Sequence, residues 1–136
     1  MARNDTFQCS VITPEREVLD TTATFVAFPA HDGEVGILHD RAPLLYKMGI
    51  GILRVETPET EHKFFVDGGF AQMVDNRLTL LTEQAKRAEE IDRTAAQRAL
   101  AEAKATPMVT DAEFVAHQKA VKRAETQLKL VEETGK

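Results

Sequence analysis

The residues of this 136-residue chain best suited to chemistry are four histidines, His31, His39, His62 and His117, with one cysteine, Cys9, and one serine, Ser10. Cys9 and Ser10 are adjacent in a stretch of strand-like alternation, so one should point inward and the other outward. No glycine elbow flanks Ser10, so the setting of a covalent hydrolase is missing. His31-Asp32 and His39-Asp40 repeat eight residues apart. They could face each other across a hairpin, and two His with two Asp can hold a metal ion; such dipeptides are more often solvated loop residues. His117 falls on a helical seam and reads as a packed or partner-facing histidine. Gly68-Gly69 lacks the following Lys-Ser/Thr of a phosphate-cradling loop, and no two carboxylates are spaced to define an acid/base pair. We therefore expect no catalytic residue, no metal site and no cofactor.

Composition bounds the partners. The chain is 43% hydrophobic and 29% charged, with a formal charge of −5, which argues against nucleic acid as the main partner. It has no apolar run of about 18 residues that would insert into a membrane, and its first residues show no secretory signal. A single cysteine cannot form an internal disulfide. Charge is uneven: residues 1–85 carry 7 Lys/Arg against 13 Asp/Glu, and residues 86–136 carry 10 against 9.

The first half must be β-structure. Phe7, Cys9 and Val11 alternate with polar neighbours. Val18-Leu19 starts a second strand, and Thr22 to Phe28 is β-branched and aromatic. Gly33 follows Asp32 as a tight turn, and Gly36, inside an apolar run, marks a bulge or a close backbone approach. His39-Asp40-Arg41 is an exposed loop. Leu44 to Met48 reads as a strand ending at Gly49, with Ile50 to Val55 as another. Lys63 to Val66 is punctuated by Asp67-Gly68-Gly69. Phe70 to Val74 and Leu78 to Leu81 pair across Asp75-Asn76, a favourable hairpin turn. Short strands at this spacing indicate an antiparallel β-sandwich or flattened barrel over residues 1–84.

Residues 85–136 follow different rules. Thr82 to Ala105 is rich in helix formers and is stopped by Thr106-Pro107. Thr110 followed by Glu113 is a capping box, and a second helix runs to about Glu132. Its seam is Phe114, His117, Val121, Ala124, Leu128 and Val131. The first helix offers Ala88, Ile91, Ala95, Ala99 and Ala103. An alanine-lined helical hairpin buries little area, at roughly 0.8 kcal/mol per CH₂, and helices this short are marginal alone. The hairpin is therefore expected to detach at modest cost. Over their span of the last helix Lys119, Lys122, Arg123 and Lys129 outnumber Glu125, which makes it either a solvated face or a docking surface for an acidic protein.

The stretch Gly33-Glu34-Val35-Gly36-Ile37-Leu38-His39-Asp40-Arg41-Ala42-Pro43-Leu44-Leu45 resembles the signature of the epsilon subunit of F-type ATP synthases. Phe65-Val66-Asp67-Gly68-Gly69-Phe70, and Leu78-Thr79-Leu80-Leu81 leading into Glu83-Gln84-Ala85, extend the resemblance over nearly the whole chain. It implies a non-catalytic rotor subunit of a proton- or sodium-driven synthase. Such a subunit clamps the gamma subunit and sits on the c-ring. Its movable C-terminal hairpin meets the alpha/beta catalytic head and inhibits ATP hydrolysis. It implies a peripheral location on the inner face of an energy-transducing membrane, the cytoplasmic side of a bacterial plasma membrane. Glu34 matches the c-ring-facing position. Arg41 stands where many members have His, and His39-Asp40 replaces a common Pro-Gly. By the same resemblance Lys119, Lys122 and Arg123 would contact the head. Some members bind ATP through aliphatic-Asp-x-x-Arg-Ala; here Ile91, Asp92 and Ala96 fit, but Ala95 replaces the arginine, so weak or absent ATP binding is expected. Two readings from other classes are a free-standing β-sandwich binding module with a helical interaction tail, and a small metal-dependent enzyme using His31 and His39.

Overall fold

The computed structural model describes residues 5–30, 33–40 and 42–134. Among these residues eight strands precede two helices: β1 Phe7–Ile12, β2 Glu17–Ala23, β3 Phe25–Ala30, β4 Gly33–Ile37, β5 Leu44–Glu56, β6 Glu61–Val74, β7 Arg77–Leu81 and β8 Ala85–Lys86. A 3₁₀ turn, Ala88–Glu90, leads to α1 Arg93–Ala105 and α2 Asp111–Thr134. The strands are ordered β2-β1-β7-β6-β5-β3-β4, with β8 added to β6. Every pairing is antiparallel except β1 with β7.

Alternation builds the sandwich. Phe7, Cys9 and Val11 of β1 are buried, and they meet Val26, Phe28, Leu53, Val55, Phe64, Val66, Met73, Leu78 and Leu80 in one core. Ser10 points to the other face yet is also covered, with its hydroxyl 3.4 Å from the Asp20 carboxylate. Asp75 and Asn76 both adopt positive φ, 53° and 60°, as a tight two-residue hairpin turn requires.

Two readings of element bounds change. Gly49 and Gly68-Gly69 do not end strands. β5 and β6 pair continuously from Leu44↔Met73 to Glu56↔Glu61. Around these glycines the buried parity shifts: Met48, Ala71 and Met73 face the core on one side, and Leu53, Val55, Phe64 and Val66 on the other. The two long strands therefore bend and serve both layers of the sandwich. Gly36 makes no bulge, since β3 and β4 keep one register. The other reading of Gly36, a close approach, holds: a Cβ there would lie 2.9 Å from the Phe25 ring.

The second change is the first helix, which begins at Arg93 rather than Thr82. Ala85 and Lys86 pair with Val66 and Phe65. Glu90 then accepts the Arg87 N–H at 2.8 Å, which stabilises a 3₁₀ turn. Asp92 caps α1 by accepting the Ala95 N–H at 3.1 Å. The buried stripe of α1 is Ala96, with Leu100 and Ala103 half-buried, one position round from the Ala95/Ala99 stripe expected. α2 begins at the capping box: Thr110 Oγ1 accepts the Glu113 N–H at 3.1 Å, and Glu113 accepts the Thr110 N–H at 3.0 Å. Ala124 and Leu130 are its buried residues. Phe114, expected in the seam, is half exposed, because the alanine-rich α1 offers nothing large enough to cover it.

Candidate functional site

Two surfaces stand out, on the outer faces of the two layers that β5 and β6 share. The first carries the hairpin. On β6, Lys63 reaches Glu133 of α2 at 3.5 Å, and Asp67 accepts from Arg123 Nε of α2 at 2.7 Å. Phe65 lies between them on the same face by strand alternation and is fully buried. Across the register Ile50, Ile52 and Arg54 oppose Asp67, Phe65 and Lys63. A cleft of about 540 Å³ opens beside this contact. Pro29, Gly33, Glu34, Ile50 and Ile52 form one wall, and Lys119, Lys122 and Lys129 of α2 form the other.

The second surface is an exposed apolar strip. Past the bend, Leu45 and Lys47 of β5, Phe70, Gln72 and Val74 of β6, and Thr79 and Leu81 of β7 alternate with core residues and face outward. Leu45 is 67%, Phe70 50%, Leu81 47% and Val74 38% exposed. Large apolar side chains held out by the sheet on neighbouring strands mark a candidate contact surface for another molecule. None of the four was singled out from sequence as a contact residue. The available signal was Phe70 and Val74, bulky apolar residues sharing a strand with Ala71 and Met73 on the opposite face.

The predicted contact residues do not form one cluster. Glu34 lies 3.7 Å from the Arg54 guanidinium, on the edge strand β4. His39 and Asp40 lie past the other end of β4, five residues or roughly 17 Å of strand away. There Asp40 N–H donates to Asn76 Oδ1 at 2.8 Å, and Asn76 Nδ2 donates to the Thr6 carbonyl at 2.8 Å. His39 Nδ1 is 3.0 Å from Asp40 and Nε2 is 3.7 Å from Asp5. Arg41, like His31 and Asp32 of the metal reading, lies outside the described residues. Among the described residues no three His, Cys, Asp or Glu side chains are grouped to hold a metal. Lys119 and Lys122 line the cleft, whereas Arg123 is engaged with Asp67. Of the ATP-motif residues, Ile91 follows the 3₁₀ turn, Asp92 is committed to capping α1, and Ala96 is packed. Burial pushes the Cys9 thiol up to about 12, with the Asp20 charge adding to the shift, so it is no nucleophile.

Comparison with known proteins decides the family. Residues 6–88 match the model of the ATP synthase Delta/Epsilon chain β-sandwich domain. The chain belongs to the ATP synthase delta/epsilon family. It is 42% identical over 122 residues to the ATP synthase epsilon chain of Rhodopirellula baltica, covering 90% of this chain and 95% of that one. It is 38% identical over 94 residues to the epsilon chain of Pelotomaculum thermopropionicum, covering 69% and 70%. The epsilon-chain fold recurs in a chain of the Euglena gracilis mitochondrial ATP synthase OSCP/F1/c-ring structure. The TM-score is 0.81 at 22% identity, over 93% of this chain and 81% of that one. A chain of the Tetrahymena thermophila mitochondrial central stalk/c-ring structure shares it with a TM-score of 0.69 at 14% identity, over 96% and 99%. No helix of the described residues is long and apolar enough to cross a membrane.

Proposed function

We propose that this epsilon-family chain is a non-catalytic rotor subunit that couples the gamma subunit to the c-ring and restrains ATP hydrolysis through its hairpin. The observation that carries the reading is the strip of Leu45, Phe70, Val74 and Leu81. It is a ready-made protein contact on the face of the sandwich away from α2, and it is assigned to gamma. The solved assemblies that share the fold are described as F1/c-ring and central stalk/c-ring, which supports partners of this kind. Residues 1–84 act as the clamp and residues 85–136 as the lever.

Glu34 and, past the other end of β4, His39 and Asp40 are assigned to the c-ring, and Arg41 is assigned with them from its place in the sequence motif. Lys119 and Lys122, which pair with no carboxylate among the described residues, are assigned to acidic segments of the alpha/beta head, and Arg123 joins them once Asp67 lets it go. No nucleotide is expected to bind tightly, because Asp92 caps a helix and Ala95 stands in the arginine position. The chain works peripherally, on the inner face of an energy-transducing membrane, the cytoplasmic side of a bacterial plasma membrane.

The test is ATP hydrolysis by the catalytic head of its own synthase, stripped of this subunit. The full chain and a chain ending at Ala85, where the main core is complete, are titrated in separately. Inhibition by the full chain alone is the expected result. Failure of both to bind would overturn the rotor assignment and favour a free-standing binding module.

A further inference from the structure

Arg87 sits where β8 gives way to the 3₁₀ turn, the point through which the hairpin is attached. Its guanidinium lies over the ring of Phe64, 4.6 Å from the centroid, and Phe64 is a fully buried member of the main core. Nη1 of Arg87 is 3.2 Å from Nδ1 of His62. A guanidinium can only donate, so Nδ1 must be the unprotonated nitrogen of a neutral imidazole. The backbone N–H of Arg87 is taken by Glu90, whose carboxylate is also 3.8 Å from Arg16. One residue thus seals the core edge, bonds the sheet and starts the turn that leads to the hairpin.

We propose that His62 is an acid-sensitive catch on this junction: neutral, it accepts from Arg87 and holds the linker on β6; protonated, it repels Arg87 and lets the linker go. Protonation removes the only acceptor the ring offers and sets two cations in contact. Apart from Lys86, Glu89 and Glu90 beside Arg87 in the chain, the other charged groups described around β6 are engaged elsewhere or distant. Glu56 and Glu61 are each 3.6 Å from Arg54 on β5. Lys63 points to the opposite face, to Glu133, and Arg123 goes to Asp67. Lys47, Asp75 and Arg77 lie at the far end of β6. Lys86 and Glu89 flank Arg87 in the chain. Burial first, and the Arg87 charge second, hold the imidazole below its ordinary pKa.

The sign follows from linkage. The closed junction binds fewer protons than the open one. Closure is therefore complete above the ordinary histidine value, about 6.5. It weakens as pH falls through that value toward the lower one of the closed form, and levels off below. One proton sets a limit of about tenfold per pH unit. The inference concerns the junction itself and does not depend on the hairpin acting as a brake.

The experiment follows amide exchange of residues 85–91 in the full chain from pH 8 to pH 5, corrected for the intrinsic rate, together with the imidazole titration of His62 by NMR. Protection should be flat above about pH 6.5 and fall by up to about tenfold per unit below it, while β1 and β7 keep theirs. His62→Asn, which offers an acceptor but does not titrate, should remove the fall, and Arg87→Gln should raise the His62 midpoint. The proposal is overturned by an undiminished fall in His62→Asn, by constant wild-type protection to pH 5, or by an unmoved midpoint in Arg87→Gln. If His62→Asn does not fold, the wild-type curve and the Arg87→Gln midpoint decide.

Discussion

Arg123 of α2 donates to Asp67 of β6 at 2.7 Å, across 56 positions of sequence. Asp67 is largely covered, with 17% of its side chain exposed, while Arg123 is 42% exposed, so solvent screens the pair. A double-mutant cycle with Arg123→Ala and Asp67→Ala should give a coupling of about 0.5–1 kcal/mol. In amide exchange across residues 111–134, each single variant should lose about two- to fivefold protection, and the loss should shrink at high salt. Full protection in both variants would mean that Phe65 and Leu130 seat the helix without the ion pair.

Phe70 and Phe64 share β6 but have opposite fates. Phe70→Ala should leave the melting temperature nearly unchanged, since half the ring already faces water. It should weaken gamma binding about 30-fold or more if Phe70 anchors the contact. Phe64→Ala removes a fully buried ring from the core and should cost about 3–5 kcal/mol of stability. Chemical denaturation and calorimetric titration with gamma separate the two effects.

The paired glycines of β6 should also differ. Gly69 has φ +109°, and a Cβ there would collide with the Leu81 carbonyl oxygen. Gly68 has φ +76° and open space around it. Gly68→Ala should cost about 1–2 kcal/mol of backbone strain. Gly69→Ala adds a collision with β7 backbone and should cost about 4 kcal/mol or more. Urea midpoints of the two variants, measured side by side, check the ranking.

Acid should loosen the start of α2. Glu113 is solvent-exposed, and its carboxylate accepts the Val109 and Thr110 N–H groups, which lowers its pKa below the usual carboxylate value. A depressed folded value means that the contribution is present above the unfolded pKa and is lost as pH falls through the folded one. The Val109 and Thr110 amide resonances should therefore shift together below about pH 4.5. Thr110→Ala removes the other half of the box and should cost about 1 kcal/mol at neutral pH.

Local patterns were legible in the sequence wherever the physics is local. The alternation of Phe7, Cys9 and Val11 reports one buried face, Asp75-Asn76 reports a turn, and Thr110 with Glu113 reports a cap. Residues 82–92 misled because their composition favours helix, while the pairing of Ala85 and Lys86 with β6 is a long-range choice. Gly49 and Gly68-Gly69 looked like strand ends, since glycine interrupts a local pattern even where a ladder runs through it. Phe70 and Leu81 are the same residue types as the core, and only the register shows that they face out. Neither the Arg123–Asp67 pair nor the His62–Arg87 contact has any signature in spacing.

The bend in β5 and β6 makes these two strands an angle bracket, with the hairpin bolted to one arm and the apolar strip on the other. A ladder of paired backbone neither stretches nor slides cheaply. A load applied at the strip would therefore reach the hairpin seat without slack. The same rigidity limits how the two surfaces can change over evolutionary time: a substitution at the elbow moves both arms at once, so they can only drift together.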